Sequence, residues 1–157
     1  MEVYDKPVRF GLSYVSADGS RQVPVMIHRS MVGSMERLFA HLIEVHAGAF
    51  PAWYAPVQLE VLPVSADQEE AAYALQRAAI EAGLRAEVSA GASLGSRIRQ
   101  SALRKVPYAA IIGEREAASG EVALRLRDGR ALPPMPAAEA LHMIEEVVAA
   151  RSHDLVA

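Results

Sequence analysis

The stretch VQLEVLPVSADQEEAAYALQRAAIEAGLRAEVS (57–89) decides the fold. Residues 57–64 are short and β-branched in pattern, and read as a strand. Ser65 and Asp67 are helix-capping types; the helix they open is expected to run to Ala82, where Gly83 stops it. LRAEVS (84–89) reads as a second strand. Strands separated by a helix of this length imply a right-handed crossover and parallel pairing. Toward the C-terminus the alternation repeats. SAGASLG (89–95) is a small-residue loop, Ser96 to Lys105 a basic helix ended by Pro107, and YAAIIG (108–113) an apolar, central strand. EVALRLRDGR (121–130) is a strand followed by an Asp-Gly turn, and Pro133, Pro134 and Pro136 introduce a last helix, Ala137 to Ala150. The expected fold class is α/β: a mixed, mostly parallel sheet of about five strands flanked by three helices.

Toward the N-terminus, PAWYAP (51–56) is a Pro-rich connector and marks a boundary, giving expected domains 1–50 and 51–157. Before it, Met35, Leu38, Phe39, Leu42, Ile43 and His46 recur at helical spacing within a helix expected from Met31 to His46. RFGLSYVSADGSRQVPVMIH (9–28) reads as a hairpin: Phe10, Leu12 and Tyr14 alternate, Asp18-Gly19 turns, and Val23, Val25 and Ile27 alternate on the return.

The composition, 157 residues of which 52% are hydrophobic, excludes disorder as the main state. A net charge of −3 argues against nucleic-acid binding by bulk charge. With no cysteine there is no disulfide, iron–sulfur cluster, thiolate zinc site or cysteine nucleophile. The apolar runs fall far short of the roughly 20 residues a membrane helix needs, and the N-terminus has no apolar signal-peptide stretch. A soluble, cytoplasmic protein is expected, with neither membrane nor DNA as partner and no cofactor. The chain also contains no Thr and no Asn, which is read as composition bias.

Charge is unevenly distributed. Residues 57–94 carry a net −4, residues 95–130 a net +4 and residues 131–157 a net −3. The basic segment holds Arg97, Arg99, Arg104, Lys105, Arg115, Arg125, Arg127 and Arg130. Such a run is either a solvated face or a surface that tracks phosphates. Catalytic signals are weak. The glycines of AGASLG (90–95) lack both the GxGxxG pattern and a Walker lysine, His41 and His46 are badly spaced for one metal, and no Ser–His–acid set is recognisable.

The string PVMIHRSMVGSMERLFAHLIEVHAGAFPAWYAPVQLEVLPVS (24–65) resembles the end of a bacterial threonyl-tRNA synthetase catalytic domain running into its anticodon-binding domain. VMIHRS (25–30) with VGSMER (32–37) resembles class II motif 3, and LGSRIRQSALRKVPYAAIIGEREAASGEVALRLRDGR (94–130) resembles the second half of the anticodon-binding domain. The resemblance runs from about Arg9 to Val148, nearly the whole chain. It implies the class II synthetase anticodon-binding fold preceded by a hairpin and helix left from the catalytic domain. It places Arg37 at the motif 3 arginine that contacts ATP, and His28 at a zinc-ligand position. It places Lys105, Glu116 and Arg125 where anticodon contacts lie, with Arg97, Arg104 and Arg127 around them as further RNA-binding candidates. The chemistry suits the role: Arg reads a base edge or stacks, Glu accepts from exocyclic amines, and Lys pairs with phosphate.

Motifs 1 and 2, the zinc-binding Cys/His pair and the editing domain have no counterpart in these residues. Arg37 and His28 are therefore relic positions, with no complete catalytic centre and no metal. In the loop before Leu94-Gly95 the family's charged residues are replaced by SAGAS (89–93), and Gly91 stands at an anticodon-contacting Asn. The expected function is a non-catalytic, synthetase-like protein that binds tRNA or a tRNA-like RNA. The alternatives are a protein-interaction module that has lost RNA binding, and a C-terminal fragment of a threonine–tRNA ligase, which would share in that ligase's activity. Residues 9–47 keep an apolar stripe without the large sheet it packs on in the family. That stripe is expected to form a homodimer or to dock on a synthetase partner, unless it folds back over its own α/β domain.

Overall fold

The computed structural model describes residues 2, 3 and 5–156. The chain divides into two compact units, 1–41 and 42–157. The division falls inside the helix α2 (Met35–His46), earlier than the boundary expected at 50/51. The end of α2 belongs with the second unit because His46 packs edge-on against Phe50 and Tyr54, its ring nitrogen bonds the Tyr54 hydroxyl, and Lys105 donates to the Ala47 carbonyl.

In the first unit, β1 (Glu2–Val3) pairs antiparallel with β4 (Ile27–His28), and β2 (Tyr14–Val15) pairs with β3 (Arg21–Gln22). The hairpin therefore exists but is shorter than expected. Phe10 follows a short helix, α1 (Lys6–Arg9), in which Pro7 takes an early position, and Val23 and Val25 are unpaired in these ladders. Asp18 makes the turn, its carboxylate accepting from the Ser20 amide and hydroxyl (2.9 and 2.7 Å), which holds its pKa below the usual carboxylate range. α2 opens at Met35 rather than Met31, because Gly33 lies at φ +77 and Ser34 supplies the cap, its hydroxyl accepting from the Arg37 amide (3.3 Å). Pro7 alone is buried among the side chains described in residues 5–41.

The second unit contains the sheet, in the order β6-β5-β7-β8-β9: β6 (Ala86–Val88), β5 (Leu59–Pro63), β7 (Tyr108–Ile112), β8 (Glu121–Leu126) and β9 (Met135–Pro136). β5 pairs parallel with β6 and β7, and β8 pairs antiparallel with β7 and β9, so β8 alone runs against the other four. The fifth strand, β9, is a two-residue piece that the sequence did not mark. Four helices flank the sheet rather than three: α3 (Glu69–Glu81), α4 (Leu94–Leu103), α6 (Ala137–Ala149) and the unforeseen α5 (Glu114–Ser119). Among the described residues, no helix is long and apolar enough to cross a membrane.

Every residue of β5 is buried. In β8 burial alternates, with Val122, Leu124 and Leu126 inward and Glu121 and Arg125 exposed. α3 buries Ala72, Leu75 and Ala79, and α6 buries Ala140, Ile144 and Val147, spacings that put one stripe of each helix on the core. Each buried Leu, Ile or Val contributes about 1.5–3 kcal/mol. Ser65 and Gln68 close a capping box ahead of α3. α5 opens at Gly113, whose amide donates to Glu116 Oε2 at 3.1 Å; a Cβ on Gly113 would lie 2.7 Å from that oxygen, so no other residue fits without displacing the cap. The connector is clipped to the sheet by two residues. Gln58 donates to the Ala52 carbonyl (2.8 Å) and accepts from the Arg85 amide (2.9 Å), while the Arg85 guanidinium reaches the carbonyls of Ala55 and Trp53.

Arg97 is 6% exposed, and its Nε and Nη1 donate to the carbonyls of Ala92 (2.8 Å) and Ser89 (2.7 Å). It braces the 89–93 loop from within, whereas the sequence reading places it among the RNA-binding candidates. Arg97→Ala is expected to cost about 2–4 kcal/mol in urea unfolding and to speed amide exchange across 89–93; unchanged stability and exchange would return Arg97 to the surface role. Tyr108, fully buried, donates to the Leu155 carbonyl at 2.9 Å, and burial pushes its pKa up to about 12, with Arg127 opposing the rise. As pH climbs past the ordinary tyrosine value of about 10, the unfolded chain ionises first, so this group's contribution is intact below that pH and is lost toward about pH 12 at up to roughly 1.4 kcal/mol per unit. Urea titrations over that window should fall less steeply for Tyr108→Phe than for the parent.

Candidate nucleic-acid interface

The end of α4 and the amino end of β7 are joined by Arg104 to Pro107, and this short segment organises the basic surface. α4 terminates with Lys105 N donating to the Ala102 carbonyl (3.1 Å) and Val106 N to the Ser101 carbonyl (3.2 Å), a turn that leaves Lys105 at φ +56. Pro107 follows and its carbonyl accepts from the Arg127 amide (3.1 Å), which aligns β8 beside β7. Two positions along, the ladder sets Arg125 opposite Ala109. Arg104, Lys105, Arg125 and Arg127 are thereby gathered around buried Val106, which walls two neighbouring depressions.

The four cations differ in what already holds them. Arg104 Nη1 lies 3.4 Å from Glu60 Oε1 and pairs more closely with Glu87, and these carboxylates raise its pKa, the Glu87 hydrogen bond most. Lys105 donates to the Ala47 carbonyl. Arg127, half-buried, donates to the Phe50 carbonyl; burial pushes its pKa down, while Tyr108, Asp128 and Tyr54 oppose that shift. The Arg125 side chain is exposed and makes no hydrogen bond or ion pair with another described residue. It borders a shallow depression of about 70 Å³ with Ile98, Ala102 and Ala109. Asp128 and Arg130 pair with each other at 2.7 Å in the turn after β8.

Glu116 is not part of this group. It lies beyond the other end of β7, half-buried, with one oxygen committed to the Gly113 amide. From Ala109 to Gly113, where Glu116 is anchored, the strand advances about 13 Å. Gly91 is exposed in the loop beyond β6, at φ +93, beside an opening of about 200 Å³ edged by Ser65, Glu69 and Arg97. In the other unit, Arg37 is exposed on α2 with its stem against Gly33, and His28 is exposed on β4 opposite Glu2.

Sequence reasoning missed Glu60, which is 1% exposed and sits between Glu87 and Ala109 in one row across the sheet. Its place as the one charged residue of VQLEVLPV (57–64) was the available signal. It also missed Phe50, whose carbonyl accepts from the Arg127 side chain, and Gln58, whose side-chain amide bonds the backbones of Ala52 and Arg85.

The profile of the anticodon binding domain family matches residues 58–147. The chain is 48% identical over 136 residues to the threonine–tRNA ligase of Thermus thermophilus, a match covering 86% of this chain and 21% of that protein. It is 41% identical over 153 residues to the ligase of Halorhodospira halophila, covering 97% of this chain and 23% of the other. It thus spans about a fifth of the length of the curated relatives it matches. Among solved structures, the RNA binding domain of threonyl-tRNA synthetase from Cryptosporidium parvum superposes with a TM-score of 0.74 at 30% identity, covering 92% of this chain and 37% of that one. With its five-stranded mixed sheet and the profile match across β5 to α6, the chain belongs to the anticodon binding domain family and is related to the threonine–tRNA ligases.

Proposed function

We propose that this chain binds the anticodon region of tRNA through the surface around Val106 and β8, without a catalytic centre of its own, and works in the cytoplasm. One observation carries the reading: Arg125, on the outward row of β8, is exposed and unpartnered while its neighbouring cations are engaged within the fold. A guanidinium held at a fixed register with its donors unspent suits a splayed base edge or a stacked base. Glu116 accepts from an exocyclic amine of a different nucleotide. Arg104, Lys105 and Arg127 supply positive potential along the backbone, and the second unit's relatives support the choice of RNA class.

The test is a salt-titrated binding assay against threonine tRNA, an anticodon-swapped variant and an unrelated tRNA. Binding that prefers the native anticodon, and that falls by roughly ten- to a hundredfold in Arg125→Ala, is expected. No binding at about 50 mM salt, where phosphate contacts are strongest, overturns the proposal.

The exposed apolar residues of 9–47 favour a further element of this reading. Phe10, Tyr14, Met31, Met35, Phe39 and Ile43 are all exposed, and Met35, Phe39 and Ile43 form one stripe along α2. We infer that residues 9–47 pair with a second copy of the chain. Light scattering on a sizing column should show a mass rising to twice that of one chain with concentration, and Phe39→Lys should abolish the rise. A concentration-independent monomer removes the dimer, and a complex formed only when a synthetase is added assigns the stripe to that partner.

A further inference from the structure

The face of the sheet opposite Arg125 carries an open apolar groove of about 290 Å³ between α3 and α5. β8 separates the two faces: Val122 lines the groove, and Arg125 points the other way along the alternating strand. Ala71, Ala74 and Ala78 form one wall as a row along α3. Ala117 and Gly120 stand on the other, and Gly120 ends α5 at φ +72, a left-handed position that favours glycine and keeps this wall low. The core of the unit takes a different row of α3, so Ala74 and Ala78 stay exposed. Walls of methyl size let a helix approach to the short end of the roughly 8–10 Å range of interaxial distances.

The same chain carries a matching ridge. Met35, Phe39 and Ile43 lie four residues apart on α2, and each is more than half exposed. A row at this spacing is the kind of ridge that packs into the groove of a neighbouring helix surface. Charge agrees with size. The mouth of the groove holds Glu116 and Glu121, the latter exposed, and the start of the ridge is accompanied by exposed Arg37. The acid beside it, Glu36, is turned onto the opening turn of α2, where its own amide and Ser34 hold its pKa below the usual carboxylate range.

We propose that α2 of a second copy seats Met35, Phe39 and Ile43 in this groove, with Arg37 meeting Glu121. A two-fold axis repeats the contact, so each copy gives one ridge and receives one. The proposal names the surface that receives the stripe and rests on the pairing of residues 9–47 inferred above. The Arg125 face of each sheet stays open.

Ala78→Arg, Phe39→Lys, Arg37→Glu, Glu121→Arg and the double variant Arg37→Glu with Glu121→Arg are compared in the whole chain. Light scattering over a concentration series gives the dimer dissociation constant, and a melting temperature is recorded for each. Arginine suits an exposed helix position, so Ala78→Arg is expected to melt like the parent. Its side chain fills the groove, and its dissociation constant is expected to rise at least about tenfold. Arg37→Glu and Glu121→Arg are each expected to weaken the dimer roughly three- to tenfold, and the double variant to recover to within about twofold of the parent. The exchange of charges reads the contact even if Ala78→Arg melts low. If Ala78→Arg and both charge variants dimerise like the parent while Phe39→Lys is monomeric, the groove falls and the pairing of residues 9–47 stands. A double variant weaker than either single change also overturns the groove. If the parent is a monomer at every concentration, both readings fall together.

Discussion

A carboxylate buried in the middle of the sheet sets the terms for the rest of the unit. Glu60 is 1% exposed on a strand covered on both faces, and a charge there is tolerated only beside a counter-charge. Arg104 provides it, shared with Glu87 across the β5–β6 pairing. Arg104 makes this pair from the end of α4, Lys105 follows in a left-handed conformation, and Pro107 leads into Tyr108 at the start of the central strand. Removing one partner of such a pair costs about 3–5 kcal/mol. The geometry of the basic surface follows from an ion pair that itself faces no ligand.

The cations of this surface illustrate why charge counted along a sequence and charge offered to a ligand differ. Residues 95–130 carry a net +4, yet Arg97 is spent on two carbonyls, Arg104 on two carboxylates and Arg130 on Asp128. Arg99, Arg115 and Arg125 remain outward. A domain in a chain of net −3 thereby presents local positive groups without a broad basic field, a combination that disfavours indiscriminate binding to nucleic acid.

Much of the fold was legible because local and tertiary preferences agree. β5, the cap at Ser65, the stop at Gly83 and the central place of β7 follow from composition and turn chemistry. Arg125 came from the resemblance, and the structure puts it on the strand face opposite the buried Val122, Leu124 and Leu126. The failures have common causes. α5 is too short to show a helical period, and β9 is two residues, one of them proline. The hairpin strands were overextended because alternation continues through residues that the ladder does not pair. Arg97 reads as a surface residue on a basic helix; only the position of the 89–93 carbonyls, fixed by the strand before them, turns it inward.

The edges of the sheet carry a last consequence. β6 is three residues long and β9 two, the latter ending in Pro136, so few backbone donors and acceptors stand open at either side. Strand-by-strand growth into fibrils has almost no template here. In concentrated storage the α/β unit should stay clear of such growth, and any clouding of the solution will trace to side-chain adhesion between the exposed apolar residues ahead of it.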